Sequence, residues 1–201
     1  MSPKLGMEMI RREQIIQSAK TCILTYGFDH FSIKDVAKTA DLSTGVIYHY
    51  FKNKNDLLVD VLKEAFAVSE EDVRNTVDAY HHPVEKFYAY LRTVASLPDH
   101  NQPFYTILLN YMAQSPYNEK INEVVGRFLR NLVLYLTTIL EEAEQQNLLH
   151  HSSPSDLALL IINQATGTAF NERYFSAEVV KANRDAFIQL FQSMVATPAS
   201  S

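Results

Sequence analysis

Three helix starts fall within 22 residues, from Ser32 to Asn53, and they leave the chain little choice of local fold. Ser32 with Asp35 three positions on has the form of a capping box, opening a short helix that carries Ile33, Val36, Ala37 and Ala40. Ser43 can cap a second short helix with Val46, Ile47 and Tyr50 on its apolar side. Asn53 with Asp56 opens a long one through Leu57, Leu58, Val61, Leu62, Ala65, Phe66 and Val73. Upstream, Ile15, Ile16, Ala19, Cys22, Ile23 and Tyr26 recur at helical spacing, and Gly27 follows where a left-handed cap is wanted. Two short helices joined by about three residues, beside a supporting helix, make a helix-turn-helix unit. In such a unit the second short helix enters the major groove, N-terminal residues first. An unspecialised helical bundle with a short helix pair is the plainer alternative.

The rest of the chain is helical by the same criteria. A helix from about Pro83 to Leu97 is expected to end at Pro98-Asp99-His100-Asn101-Gln102-Pro103, and another runs to Gln114 before Ser115-Pro116. The longest carries Ile121, Val124, Val125, Phe128, Leu132, Leu136, Ile139 and Leu140 and stops near Asn147. Ser153-Pro154-Ser155-Asp156 puts a cap, a first-turn proline and an acid at the positive end of the next. A last helix begins near Ser176 and dies out in the Thr197–Ser201 tail. The expected fold is therefore all-α with nine helices, divided into a helix-turn-helix domain at 1–52 and a helical domain at 53–201. Composition agrees: 47% of residues are hydrophobic, and only 5 glycines and 7 prolines interrupt them. No apolar run approaches the roughly 18 residues of a membrane span, so no membrane association is expected. Met1 to Arg12 has neither the apolar stretch nor the cleavage site of a signal peptide. Cys22 is the lone cysteine, which precludes an internal disulfide and suits a cytoplasmic protein; its place on an apolar face marks it as an inert core residue.

The net charge of −5 argues against a protein that coats nucleic acid, but the charge is unevenly placed. The first 60 residues hold 8 Lys/Arg against 7 Asp/Glu, so the acidic excess lies beyond them. Within the first 60, Lys52-Asn53-Lys54 stands at a helix start, where free N–H groups and the dipole favour an anion; a phosphate clamp and a solvated charge pair are both open to it. Enzyme chemistry finds no support. There is no G-x-S-x-G, Gly-rich phosphate loop, HExxH or Glu-x-x-His. His81-His82 and His150-His151 lie beside Pro or Ser with no cysteine near, so neither a metal nor a cofactor is expected. A helical adaptor that never meets DNA would leave the cluster of Tyr48, His49 and Lys54 unexplained.

The stretch Phe31 to Leu58, FSIKDVAKTADLSTGVIYHYFKNKNDLL, closely resembles the DNA-binding domain of TetR-family transcriptional regulators. Ser43, Gly45, Tyr48, Tyr50, Phe51, Lys54 and Leu57 carry the motif, and Asp41 departs from it, standing where the family usually has glycine. Asp tolerates a left-handed backbone better than most residues, so the turn is expected to survive. Pro3-Lys4-Leu5-Gly6-Met7 with Ile10-Arg11-Arg12, together with Ser43-Thr44-Gly45 and His49-Tyr50-Phe51, is similar to the choline-responsive repressors of betaine-synthesis genes within that family. Lys4, Arg11 and Arg12 form either a basic arm along DNA or a solubilising tail.

The resemblance implies a dimeric regulator, most often a repressor, that binds a palindromic double-stranded operator and is released by a small-molecule effector. The candidate DNA-binding residues are Ser32, Lys34, Ser43, Thr44, Gly45, Tyr48, His49, Lys52 and Lys54. An effector pocket would draw on Phe66, Phe87, Tyr90, Phe104, Tyr105, Leu108, Tyr111, Met112, Phe128, Phe170 and Tyr174, although each taken singly has the spacing of an ordinary core residue. Their faces could hold a quaternary ammonium by cation–π attraction. A homodimer interface is expected on the last two helices, at Leu157, Leu160, Ile161, Gln164, Thr168, Phe187, Leu190, Phe191 and Met194; the plainer alternative is that these helices cover the monomer's own core.

Overall fold

The computed structural model describes residues 3–100, 102–149, 153–171 and 174–194, with side chains given except at 3–6, 96–100, 102–103 and 169. Its helices are α1 (Pro3–Tyr26), α2 (Ile33–Thr39), α3 (Thr44–Tyr50), α4 (Lys54–Val77), α5 (Pro83–His100), α6 (Gln102–Gln114), α7 (Glu119–Gln145), α8 (Pro154–Asn171) and α9 (Ala177–Gln192), with a 3-10 turn at Ser115–Tyr117. The described residues thus form an all-α fold of nine helices with no strand. His150 and His151 lie outside the described residues, as does the Thr197–Ser201 tail, and no group of three metal-ligating side chains occurs among the described ones. No described helix is long and apolar enough to cross a membrane.

Local chemistry accounts for the helix ends. The Ser32 hydroxyl accepts from the Asp35 amide and the Asp35 carboxylate accepts from the Ser32 amide, completing the capping box. Ser43 and Ser176 cap α3 and α9 in the same way through Val46 and Val179. Two helices end in full Schellman motifs. At α2 the Leu42 amide donates to Ala37 and the Asp41 amide to Lys38, with Asp41 at φ 53°. At α7 the Leu148 amide donates to Ala143 and the Asn147 amide to Glu144, with Asn147 at φ 56°. Asp and Asn thus occupy the positions where glycine is commonest, and Gly27 at φ 86° closes α1. The end expected for α5 near Leu97 is corrected: the helix continues through Pro98 to His100. A proline in a last turn removes a single amide donor, which a helix end tolerates better than its middle.

The chain forms two compact units, Met1–Ala67 with Thr106–Val125, and Val68–Tyr105 with Gly126–Ser201. The division falls inside α4, α6 and α7. The reason lies in the first unit's core, where Leu57, Leu58, Val61 and Leu62 of α4 are buried along with Ile15, Ala19 and Ile23 of α1, Val36 of α2 and Ile47 of α3. From α6, Tyr111 donates to the Leu58 carbonyl at 2.5 Å and sets its ring edge-on to Phe28, centroids 4.8 Å apart. Asn118 donates to Asn55 at 2.6 Å, and Lys120 pairs with Asp56 at 3.0 Å. The second unit's core is one cluster drawn from α4, α5, α7, α8 and α9, with Phe87, Tyr90, Leu91, Leu136, Leu140 and Ile161 wholly enclosed.

Candidate functional site

In the first unit α3 is a short helix held from behind. Ile47 is its fully buried residue, while Val46 and Tyr50, expected on the same apolar side, are half-buried. The opposite side carries Gly45, Tyr48 and His49 in the open and Thr44 half-exposed. Tyr48 is 55% exposed. His49 sets its ring edge-on to Tyr50 at 5.2 Å, which limits how far it can swing. A β-carbon built at Gly45 would meet no atom closer than 3.7 Å, an ordinary contact with the Ser43 hydroxyl. Nothing inside the protein therefore requires glycine there, although glycine costs a helix about 1 kcal/mol relative to alanine.

Around this face Lys34 and Lys52 are exposed, as are the capping residues Ser32 and Ser43. The Ser32 hydroxyl is 2.6 Å from the Asp35 carboxylate, and hydrogen bonds from the Ser32 hydroxyl and amide hold the Asp35 carboxyl below its usual range. The Lys54 side chain, expected in a phosphate clamp, also has partners within the protein. Its ammonium is turned inward, 2.7 Å from the Phe31 carbonyl and 3.3 Å from that of Phe28, and it sits 4.0 Å from the centre of the Phe31 ring. Burial pushes this ammonium's pKa down.

Two residues of the basic stretch have partners within the protein. Arg12 pairs with Asp60 and lies over the Phe51 ring, its guanidinium 5.0 Å from the centroid, and Arg11 donates to Gln14 at 3.0 Å. Both belong to a helix that begins at Pro3; the Lys4 side chain is outside the described set. Gln14 donates to the Ala40 carbonyl at 2.8 Å and Lys20 pairs with Glu64 at 2.8 Å, so α1 fastens both α2 and α4.

The aromatic set expected to line a pocket is divided between the units. Phe66, Leu108 and Tyr111 are buried in the first unit, and Met112 there is half-buried. In the second, Phe87, Tyr90, Phe104 and Phe128 are buried, Tyr105 is half-buried, and Phe104 stands edge-on to Phe128 at 6.0 Å. Burial pushes the phenols of Tyr90 and Tyr105 far above their ordinary range. Phe170 and Tyr174 are 53% and 69% exposed, paired with each other at 5.6 Å, and so line no interior.

Sequence reasoning missed a groove of about 490 Å³ in the second unit, lined by Arg74 and Asp78 of α4, Lys86 of α5, and Asn131, Tyr135 and Glu142 among others of α7. Tyr135 donates to Asp78 at 2.7 Å, Arg74 lies 4.4 Å over the Tyr135 ring, and Lys86 pairs with Glu142 at 3.5 Å. The signal was present as a polar stripe along α7, where Asn131, Tyr135, Thr138 and Glu142 fall on one helical face.

On α8 and α9 the expected interface set splits by face, and four of its members are corrected. Leu157, Ile161, Phe187 and Phe191 belong to the second unit's own core, at most 6% exposed. Leu160 and Leu190 are instead 57% and 56% exposed, and Gln164 is exposed beside them. Thr168 and Met194 are half-buried, and Gln164 donates to Asn183 at 3.4 Å. The error came from reading one apolar stripe where each helix has two. Leu159, Phe175 and Val179 extend the exposed apolar surface.

Known proteins share both the sequence motif and the architecture. Residues 15–61 match the family described as bacterial regulatory proteins, tetR family. The HTH-type transcriptional regulator BetI of Serratia proteamaculans is 28% identical over 176 residues, 85% of this chain and 89% of that one. A TetR transcription regulator from Haloarcula marismortui has the same fold, with a TM-score of 0.80 at 19% identity over 93% of this chain and 99% of that one. So does AibR, solved in complex with isovaleryl coenzyme A and operator DNA, with a TM-score of 0.68 at 18% identity over 90% of this chain and 97% of that one. With a capped, outward-facing second helix inside the matched segment, the chain is similar to the tetR family of bacterial regulatory proteins over residues 15–61 and to an HTH-type transcriptional regulator along most of its length.

Proposed function

We propose that the protein is a cytoplasmic, ligand-responsive repressor that binds a palindromic operator as a homodimer and is released by a small-molecule effector. The outward face of α3 carries this reading: Thr44, Gly45, Tyr48 and His49 face away from the core on a helix whose buried side is fixed by Ile47. Thr44 and His49 would meet base edges, whereas Lys34, Lys52, Tyr48 and the capping serines would meet phosphates. The exposed apolar surface around Leu160 and Leu190 supports self-association, and a two-fold dimer would match a two-fold operator. For the effector, AibR supplies a precedent in which one chain of this fold meets both a small molecule and an operator. The aromatic group at Phe87, Tyr90, Phe104, Tyr105 and Phe128 in the second unit is the proposed receiver.

Fluorescence anisotropy on duplexes from the protein's own upstream region tests the reading. Affinity should fall steeply as salt rises, because each neutralised phosphate adds about 0.9 to the slope of log affinity against log salt. Absence of binding to every such fragment at low salt would end it.

Gly45→Ala separates DNA contact from fold. The added methyl makes only an ordinary contact with the Ser43 hydroxyl at 3.7 Å and relieves the helix of a glycine. The DNA-free variant should be more stable by about 0.5–1 kcal/mol in urea unfolding. The same methyl should cost operator affinity about tenfold or more, since the second residue of a recognition helix sits where backbone and duplex come closest. A variant that gains stability and binds normally would remove Gly45 from the interface.

A further inference from the structure

We infer that Asn118 is a positioning residue for DNA binding: it caps α7 and, with the same side chain, holds Asn55 in the first turn of α4, the turn that follows the recognition helix. The inference rests on the DNA-binding reading above. Asn118 stands directly before Glu119, the first residue of α7, with an extended backbone at φ −142° and ψ 104°. Its side-chain carbonyl accepts from the Ile121 amide at 3.2 Å, satisfying one of the donors that a helix start leaves open. The amide nitrogen of the same side chain donates to Asn55 Oδ1 at 2.6 Å. The backbone of Asn118 is committed as well, its N–H to the Ser115 carbonyl at 3.3 Å and its own carbonyl to the Asn122 amide at 2.8 Å. A side chain already fixed by its capping bond gives up little further freedom in reaching Asn55.

What is held is the start of α4. Asn53 caps that helix through the Asp56 amide at 2.9 Å, and Asn55, half-buried, is its second residue. Only Phe51, Lys52 and Asn53 separate this turn from α3. The open amides of a helix start favour an anion, so the direction of the turn bears on phosphate contact as well as on the aim of α3. Three contacts join it to the corner between α6 and α7, and they are unequal. Lys120 pairs with Asp56 at 3.0 Å, but its side chain is largely exposed, and an ion pair so open to water contributes little. Tyr111 of α6 donates to the Leu58 carbonyl, one turn further along α4. An anchor at Leu58 alone leaves the first turn free to pivot about it, and the second anchor at Asn55 removes that freedom. Asn118 and Asn55 lie 63 residues apart in the chain yet within one compact unit.

The test uses the full-length protein and the upstream duplex that wild type binds most tightly. Asn118→Ser keeps a hydroxyl to cap Ile121 but is too short to reach Asn55. Its affinity for the duplex should fall about fivefold or more, whereas the thermal midpoint of the DNA-free protein should fall by no more than about 4 °C. Asn55→Ala removes the other partner and should lose affinity by a similar factor. The double variant should bind no more weakly than either single one, because both substitutions break the same contact. Asn118→Ala loses the cap as well, so it should bind like Asn118→Ser but unfold at a lower temperature. Losses that multiply in the double variant, wild-type affinity in Asn118→Ser, or a midpoint in Asn118→Ser as low as that of Asn118→Ala would each overturn the role. Wild type that binds no duplex would overturn the DNA-binding reading and this role with it; wild type that binds, with variants that do not couple, overturns the role alone.

Discussion

Tyr111→Ala should destabilise the first unit by about 3–5 kcal/mol, the range for truncating a buried aromatic side chain to alanine. Tyr111 is fully enclosed, packs edge-on against Phe28 at 4.8 Å, and donates from its hydroxyl to the Leu58 carbonyl at 2.5 Å. Removing the ring leaves a cavity in a unit that also contains α3, so operator binding should be lost along with the fold of that unit. Urea unfolding followed by circular dichroism gives the magnitude, and a loss below about 1 kcal/mol would mean that the ring is not the packing centre it appears from its burial. Tyr111→Phe isolates the hydroxyl and should cost only about 1 kcal/mol, because the Leu58 carbonyl keeps its helical partner. The hydroxyl also has a pH signature. Burial raises the Tyr111 pKa well above that of an unfolded tyrosine, so the folded state holds its proton more tightly. Its contribution is fully present below about pH 10 and declines as pH rises past the unfolded value. Tyr111→Phe should therefore lose less stability than wild type between neutral and strongly alkaline pH.

The contacts of Tyr111 and Lys54 were not legible in sequence. Apart from the start of α1 and the end of α5, helix starts, ends and count could be read because caps act over three or four residues: Ser32 with Asp35, Ser43 with Val46, and Asn147 at the left-handed position are all local. The outward set on α3 was equally readable, since helical periodicity alone puts Tyr48 and His49 opposite Ile47. The contacts of Lys54 and Arg12 were not readable because a charged residue near a helix start carries no local sign of where its side chain goes. Their partners, Phe31 and Asp60, lie 23 and 48 residues away in the chain. The same holds for the groove between Arg74, Asp78, Lys86 and Tyr135, whose parts come from three helices. On α8 and α9 the limit was geometric. A helix with apolar residues on two faces gives one broad stripe in sequence, and only packing distinguishes Ile161, inside, from Leu160, outside.

That distinction sets the expected outcome of Leu190→Glu. Leu190 is 56% exposed on α9, one residue before the buried Phe191, so a charge there leaves the second unit's core untouched. If the surface of Leu160, Leu190 and Val179 is where two copies meet, each contact buries both carboxylates of the variant by symmetry. The protein should become monomeric in sedimentation velocity at micromolar concentration while its thermal midpoint, measured where wild type is also dissociated, stays within the small range of surface substitutions. The operator should register the change far more strongly than the fold. A dimer binds its second half-site at an effective concentration set by the tether between recognition helices, and losing that linkage removes roughly 10²–10⁴ in affinity. The salt slope should fall toward half, because each binding event then neutralises only one subunit's share of phosphates. Phe191→Glu, one residue on, would also abolish binding but by unfolding the unit, so the pair of variants distinguishes an interface from a core. A Leu190→Glu protein that stays dimeric and retains wild-type operator affinity would move the interface off this face of α9, and with it the expected spacing of the two α3 helices.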